Sequence, residues 1–100
     1  MPLFCFHCRD GEHGAELRDR HRDLHYSHIK AEERKYAVAG PLLKGGKEIG
    51  SLLVVKAADE EEARAILEAN PYFDLGVWQS IRVEKFDAKF GDWSALAQSD

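Results

Sequence analysis

The sequence predicts one α+β domain with the element order β-α-β-β-α-β, and three observations carry the prediction. The chain has 100 residues, a length that buries one modest core and is too short for two. It is 44% hydrophobic and 32% charged, a globular composition rather than a disordered one. Stretches with strand character and stretches with helical signals follow one another in that order, separated by turn residues.

The first strand is Leu3-Phe4-Cys5-Phe6-His7-Cys8, rich in aromatic and apolar residues. A turn-rich stretch, residues 9–14, leads into a long polar segment from Ala15 to about Glu33 that holds neither glycine nor proline and reads as a helix. At 100° per residue Leu17, Leu24 and His28 fall within about 40° of one another, so they are expected to form its buried stripe, with His21 and His25 at the flank. Tyr36-Ala37-Val38-Ala39 and the run Ile49 to Val55 read as two strands of a hairpin, with Gly40-Pro41 and Lys44-Gly45-Gly46-Lys47 between them.

Asp59 caps the next helix, with Glu62 three places on and three successive glutamates at the positive end of the helix dipole. Ala63, Ile66 and Leu67 give its apolar face, and Asn70 before Pro71 ends it, because a residue preceding proline is pushed out of helical geometry. From Val77 to Phe86 β character resumes, with Val77, Ile81 and Val83 assigned to one face and Trp78, Ser80, Arg82 and Glu84 to the other. The result is the split βαβ pattern of ferredoxin-like domains with an antiparallel sheet. Helices then cover one sheet face, and Trp78 is expected on the uncovered face, where an apolar patch calls for a face-to-face homodimer. The domain is taken as residues 1–87 and the C-terminal tail, with Phe90 and Trp93, as residues 88–100.

Several function classes are disfavoured. A net charge of −4 gives no reason to expect a nucleic-acid partner. No apolar run approaches a membrane span and the N-terminus lacks signal-peptide order, so a cytoplasmic protein is expected. Cys5 and Cys8 form Cys-x-x-Cys around His7, but residues three apart on a strand point to opposite faces, which argues against a redox pair or a zinc half-site.

The segments Arg20 to Tyr26, Ala39-Gly40-Pro41-Leu42-Leu43, Ile49 to Val55, and Asn70-Pro71-Tyr72-Phe73 followed by Gly76-Val77-Trp78 together resemble the YCII-related family, from about Leu3 to Phe86. The resemblance implies a dimeric α+β barrel protein with a small cavity between helices and sheet. It also implies acid/base chemistry, of the lyase or isomerase type on an aromatic or lactone-like substrate. The family's pair is a histidine on the first helix, matched by His25, and an aspartate before Pro-Tyr, where this chain carries Asn70.

An imidazole titrates near neutral pH and moves protons as elimination and isomerisation require. A histidine at a helix-sheet boundary can equally be structural, satisfying a backbone carbonyl. Asn70 lacks the charge that would stabilise an imidazolium, and in a serine protease triad the Asp-to-Asn change costs about 10⁴ in turnover. Three readings stay open: weakened or lost activity, another carboxylate such as Asp23 or Asp74 in its place, or a binding module that transforms nothing. An enzyme is expected to bring a carboxylate within hydrogen-bond reach of His25, whereas a binding module tolerates Asn70.

Arg18, His28, Ser51 and Tyr72 are the candidate ligand contacts, Ser51 as a hydrogen-bonding hydroxyl and Tyr72 with its hydroxyl at the cavity mouth. His21, His25 and His28 share one helix side, which suits a divalent ion, but Arg18, Arg20 and Arg22 oppose a cation there. No cofactor or metal is expected.

Overall fold

The computed structural model describes residues 1–92 and Ser94. Its elements are β1 (Leu3–Asp10), α1 (Gly14–Ala31), β2 (Tyr36–Lys44), β3 (Lys47–Lys56), α2 (Glu60–Glu68), α3 (Pro71–Asp74) and β4 (Trp78–Phe86), with a single 3₁₀ turn at Glu33–Lys35 before β2. Among the described residues the four strands form one sheet in the order β2-β3-β1-β4, and every neighbouring pair is antiparallel. This is a ferredoxin-like α+β fold with an antiparallel sheet. None of the described helices is long and apolar enough to cross a membrane.

The alternation of β1 sorts the core. Phe4, Phe6 and Cys8 enter the main cluster between sheet and helices, with Leu53, Val55, Ala63, Leu67 and Tyr72. Leu3 and Cys5 face the other way, packing with Val54 and Val38. Cys5 and Cys8 therefore lie on opposite faces, and burial pushes the Cys8 thiol up to about 12, which leaves it inert. Ala88, just past β4, packs on that second face with Leu3 and Val54, so the start of the tail covers part of its own sheet. Trp93 lies outside the described residues, and Phe90 is fully in solvent.

Local signals explain the element ends. Asp59 accepts the Glu62 N–H at 2.9 Å and Glu62 returns to the Ala58 N–H at 3.1 Å, which satisfies two of the free donors at the start of α2. The β2–β3 hairpin closes through Gly45 and Gly46, both at positive φ, as a two-residue turn between paired Lys44 and Lys47. Pro41 sits inside β2 rather than in a turn, which is allowed because β2 is an edge strand and need not donate from that position.

Three expectations are corrected. Leu24 is 54% exposed while Arg18 is 3% exposed, because α1 turns Gly14, Arg18 and His25 toward the sheet and loses helical geometry at His21 (φ −119°, ψ 16°). Asn70 ends α2 but also starts α3, with Pro71 at its first position, where a missing N–H costs nothing. Trp78 is on the helix-covered face, 8% exposed within the main cluster. Asp10 pairs with Trp78 while Arg9 pairs with Ser80, so Gln79 is an extra residue that reverses the alternation at the start of β4. The open face therefore carries Leu3, Cys5, Val38 and Val54 without Trp78.

Candidate active site

α1 and the β2–β3 hairpin enclose a cavity of about 280 Å³ lined by the polar groups Arg18, His25, Glu48 and Ser51 and by apolar Ile29, Ala39 and Leu53. Its polar side chains are held from behind by two connected networks.

The first centres on Arg18. Its guanidinium donates from Nε and Nη2 to the two Asp10 oxygens at 2.6 and 2.9 Å, a two-point pairing of groups that are 3% and 8% exposed. Nη2 also donates to Ser51 Oγ at 2.8 Å, and the Trp78 indole donates to the same oxygen at 3.2 Å. Gly14 makes room for Asp10, since a Cβ at Gly14 would lie 2.6 Å from the Asp10 Cβ. Above this pair, Arg22 holds Glu48 at 2.8 and 3.1 Å and keeps that carboxyl below its ordinary range.

The second centres on Asn70, which is wholly buried. Its Oδ1 accepts the Tyr72 backbone N–H at 3.0 Å, capping α3, and lies 2.9 Å from His25 Nδ1. A backbone N–H can only donate, so the amide oxygen is the atom at this point, and His25 Nδ1 must carry its proton. The neutral imidazole then has its lone pair on Nε2. Tyr72 lies flat beneath the imidazole, ring centroids 3.9 Å apart and 5° between planes. Burial lowers the His25 pKa, the Asn70 hydrogen bond opposes this, and Arg18, His28 and Arg22 lower it further.

The candidate residues are therefore distributed unevenly. His25, Arg18 and Ser51 share the cavity wall, with Asn70 directly behind His25. Tyr72 does not offer its hydroxyl at the mouth. It is 0% exposed and its hydroxyl has no partner, so its role is the platform under His25. His28 is turned away to a separate hollow with Glu32, Lys35 and Glu62. Asp23 and Asp74 are both exposed, and the hydrogen-bond partner of His25 is the Asn70 amide rather than any carboxylate. Among the described residues no group of three or more His, Cys, Asp or Glu side chains is arranged to hold a metal.

Asp10 and Trp78 complete the site; the sequence offers Asp10 only as a carboxylate, with Glu32, that could offset the arginine charges, and gives no place in the site to Trp78. The signal for Asp10 was Gly14, a small residue one helical turn before a buried arginine. The extra residue Gln79 carries no sequence signal that distinguishes it.

Comparison with known proteins agrees with this architecture. Among curated proteins none matches the chain in sequence. In structure it is similar to the 5-chloro-2-hydroxyhydroquinone dehydrochlorinase of Burkholderia phenoliruptrix, solved with 2,5-dihydroxybenzoquinone. The TM-score is 0.77 at 24% identity, over 89% of this chain and 95% of that one. A protein from Nitrosomonas europaea assigned provisionally to the antibiotic biosynthesis monooxygenases shares the fold at a TM-score of 0.51 and 9% identity, over 90% of this chain and 100% of that one. The model of the YCII-related domain matches residues 2–87, and the chain belongs to the YCII-related family.

Proposed function

We propose that the protein binds a small hydroxylated aromatic or lactone-like molecule in the 280 Å³ cavity and transfers a proton through His25, in a lyase or isomerase type of reaction. The observation that carries this reading is the His25–Asn70 contact. The oxygen of Asn70 holds the proton on Nδ1, and the depressed pKa keeps Nε2 unprotonated, which is the state a general base needs. Family membership and the similarity in fold to a dehydrochlorinase support a small-molecule role. In an elimination of hydrogen chloride, Nε2 would accept the substrate proton while chloride leaves with the electrons of its bond to carbon.

Asn70 separates two tasks that an aspartate performs together. It orients the ring but supplies no negative charge to the imidazolium formed during the reaction. That observation favours a second reading, a non-catalytic binding module that keeps the cavity without the chemistry. We further propose a cytoplasmic homodimer formed on the sheet face that carries Cys5 and Val38, a face that Ala88 covers in part. A monomer in light scattering at micromolar concentration would exclude the dimer.

The experiment is to incubate the protein with 5-chloro-2-hydroxyhydroquinone and follow chloride release, with His25→Gln beside the wild type. Release that falls by roughly 10² or more in the variant establishes the base. Equal release in both proteins removes His25 from the chemistry. Binding without release selects the second reading.

A further inference from the structure

Ser51 is 3% exposed and its Oγ receives two hydrogen bonds, from Arg18 Nη2 at 2.8 Å and from Trp78 Nε1 at 3.2 Å. Neither partner can act the other way. A guanidinium has donors only, and so has an indole N–H, while a serine hydroxyl has two lone pairs and one hydrogen. Both lone pairs are thus used, and the hydroxyl hydrogen is the one group left to Ser51. Among the described residues it meets no acceptor, and Ser51 lines the cavity.

We infer that Ser51 is a dedicated hydrogen-bond donor to the ligand, polarised by the buried Arg18 cation, and that the ligand places there an oxygen that only accepts: a carbonyl, phenolate or enolate oxygen. The inference rests on the proposed use of this cavity and specifies the class of molecule it takes. A free hydroxyl would rotate to suit a donor or an acceptor, but here donors occupy both acceptor sites. The cation behind Oγ strengthens the outgoing hydrogen bond, since loss of electron density at the oxygen makes its hydrogen a better donor. Asp10 keeps Arg18 charged and directed, so the polarisation is built in before a ligand arrives. An amine or ammonium group at this position would face a hydrogen and a cation, and is disfavoured. Arg18, Asp10 and Trp78 act through Ser51 and are positioning residues.

The test uses 2,5-dihydroxybenzoquinone as probe, with the full chain as wild type, Ser51→Ala and Ser51→Thr, and reads affinity by calorimetry and the carbonyl stretch of the bound probe by infrared difference spectroscopy. The wild type should shift the carbonyl band to lower frequency. Ser51→Ala should return it toward the free value and weaken binding about tenfold, and Ser51→Thr, which keeps the hydroxyl, should restore both. A merely structural serine would not move the band. If Ser51→Ala does not fold, Trp78→Phe answers instead: it frees one lone pair, so the band should shift less than in the wild type, and an unchanged band overturns the assignment. An unaltered band and affinity in Ser51→Ala, or no binding of the probe by the wild type, also overturns it. The two proposals fail separately, because loss of chloride release in His25→Gln with an unaltered band in Ser51→Ala keeps the base and removes the donor, and the converse result keeps the donor and removes the base.

Discussion

Nδ1 of His25 lies 2.9 Å from Oδ1 of Asn70, and that oxygen is already committed to the Tyr72 backbone N–H at 3.0 Å. The tautomer of the His25 imidazole is therefore set by the cap of a four-residue helix. Replacing Asn70 by aspartate keeps both acceptor contacts and adds a negative charge. The Asn70 amide nitrogen has no partner, and neither does the Tyr36 hydroxyl, whose pKa burial pushes up to about 12 with partial relief from the nearby Asn70 side chain. A carboxylate could accept from that hydroxyl. Asn70→Asp is expected to raise the His25 pKa, read by NMR titration of the ring protons, and to increase turnover by about 10- to 100-fold where the wild type shows any. A His25 pKa that stays put or falls would show that the two groups do not communicate.

The depressed His25 pKa also makes stability depend on pH. The unfolded chain takes up a proton as the pH falls past the ordinary value of 6.5, while the folded chain resists it, chiefly because the ring is buried. Stability linked to His25 is complete above that pH and declines as the pH falls toward the folded pKa. The melting temperature of the wild type should drop more steeply between about pH 7 and pH 5 than that of His25→Gln. Parallel curves would assign the acid sensitivity to other groups.

Much of this was legible in the sequence, and what was not has a physical cause. The order of strands and helices along the chain and the start of α2 follow from alternation and capping, which are local. His25 and Asn70 were picked out through the family's motifs and Ser51 as a hydroxyl on a central strand; His25 and Ser51 line the cavity, and Asn70 lies behind His25. Trp78 was misplaced because one extra residue, Gln79, exchanges the two faces of β4, and alternation alone does not register an insertion of one. Leu24 was misplaced because the inward side of α1 is polar, carrying Arg18 and His25. The apolar stripe read from periodicity therefore holds at Leu17, which packs against the core, and fails at Leu24, beyond the loss of helical geometry at His21.

The Asp10–Arg18 pair is the main electrostatic commitment of the fold. With side chains 8% and 3% exposed, removing the carboxylate leaves a buried cation hydrogen-bonded to the Ser51 hydroxyl and 5.3 Å from the centre of the Tyr72 ring, with no directly paired carboxylate. Asp10→Ala is expected to destabilise the protein by about 3–5 kcal/mol in urea unfolding, and the double variant Asp10→Leu with Arg18→Met to recover most of that loss. A loss under about 1 kcal/mol for Asp10→Ala would show that water reaches the guanidinium and screens it as at a surface.

The Tyr72 hydroxyl makes the opposite prediction. It is buried without a partner, so its desolvation is uncompensated, whereas the ring supports His25. Tyr72→Phe keeps the ring and is expected to stabilise the chain by about 1 kcal/mol, raising the urea midpoint with an unchanged slope. A loss of stability would mean that the hydroxyl is satisfied in solution.

Gly50 links sheet packing to the site. Its Cα faces Arg9 on β1, and a Cβ there would run into the Cys8 carbonyl oxygen, a backbone atom that can move only with its strand. Gly50→Ala must part β1 from β3 next to Ser51, at an overpacking cost of about 1–3 kcal/mol. The displacement should also disturb the Trp78–Ser51 hydrogen bond, visible as a shift of the Trp78 indole N–H resonance. Gly40→Ala is the matched comparison on the edge strand, because a Cβ there meets nothing within 4 Å, and its stability should change by less than about 0.5 kcal/mol. If both variants lose stability equally, the close approach of β1 and β3 is not the cause, since the lower chain entropy of alanine in the unfolded state acts to raise stability in both.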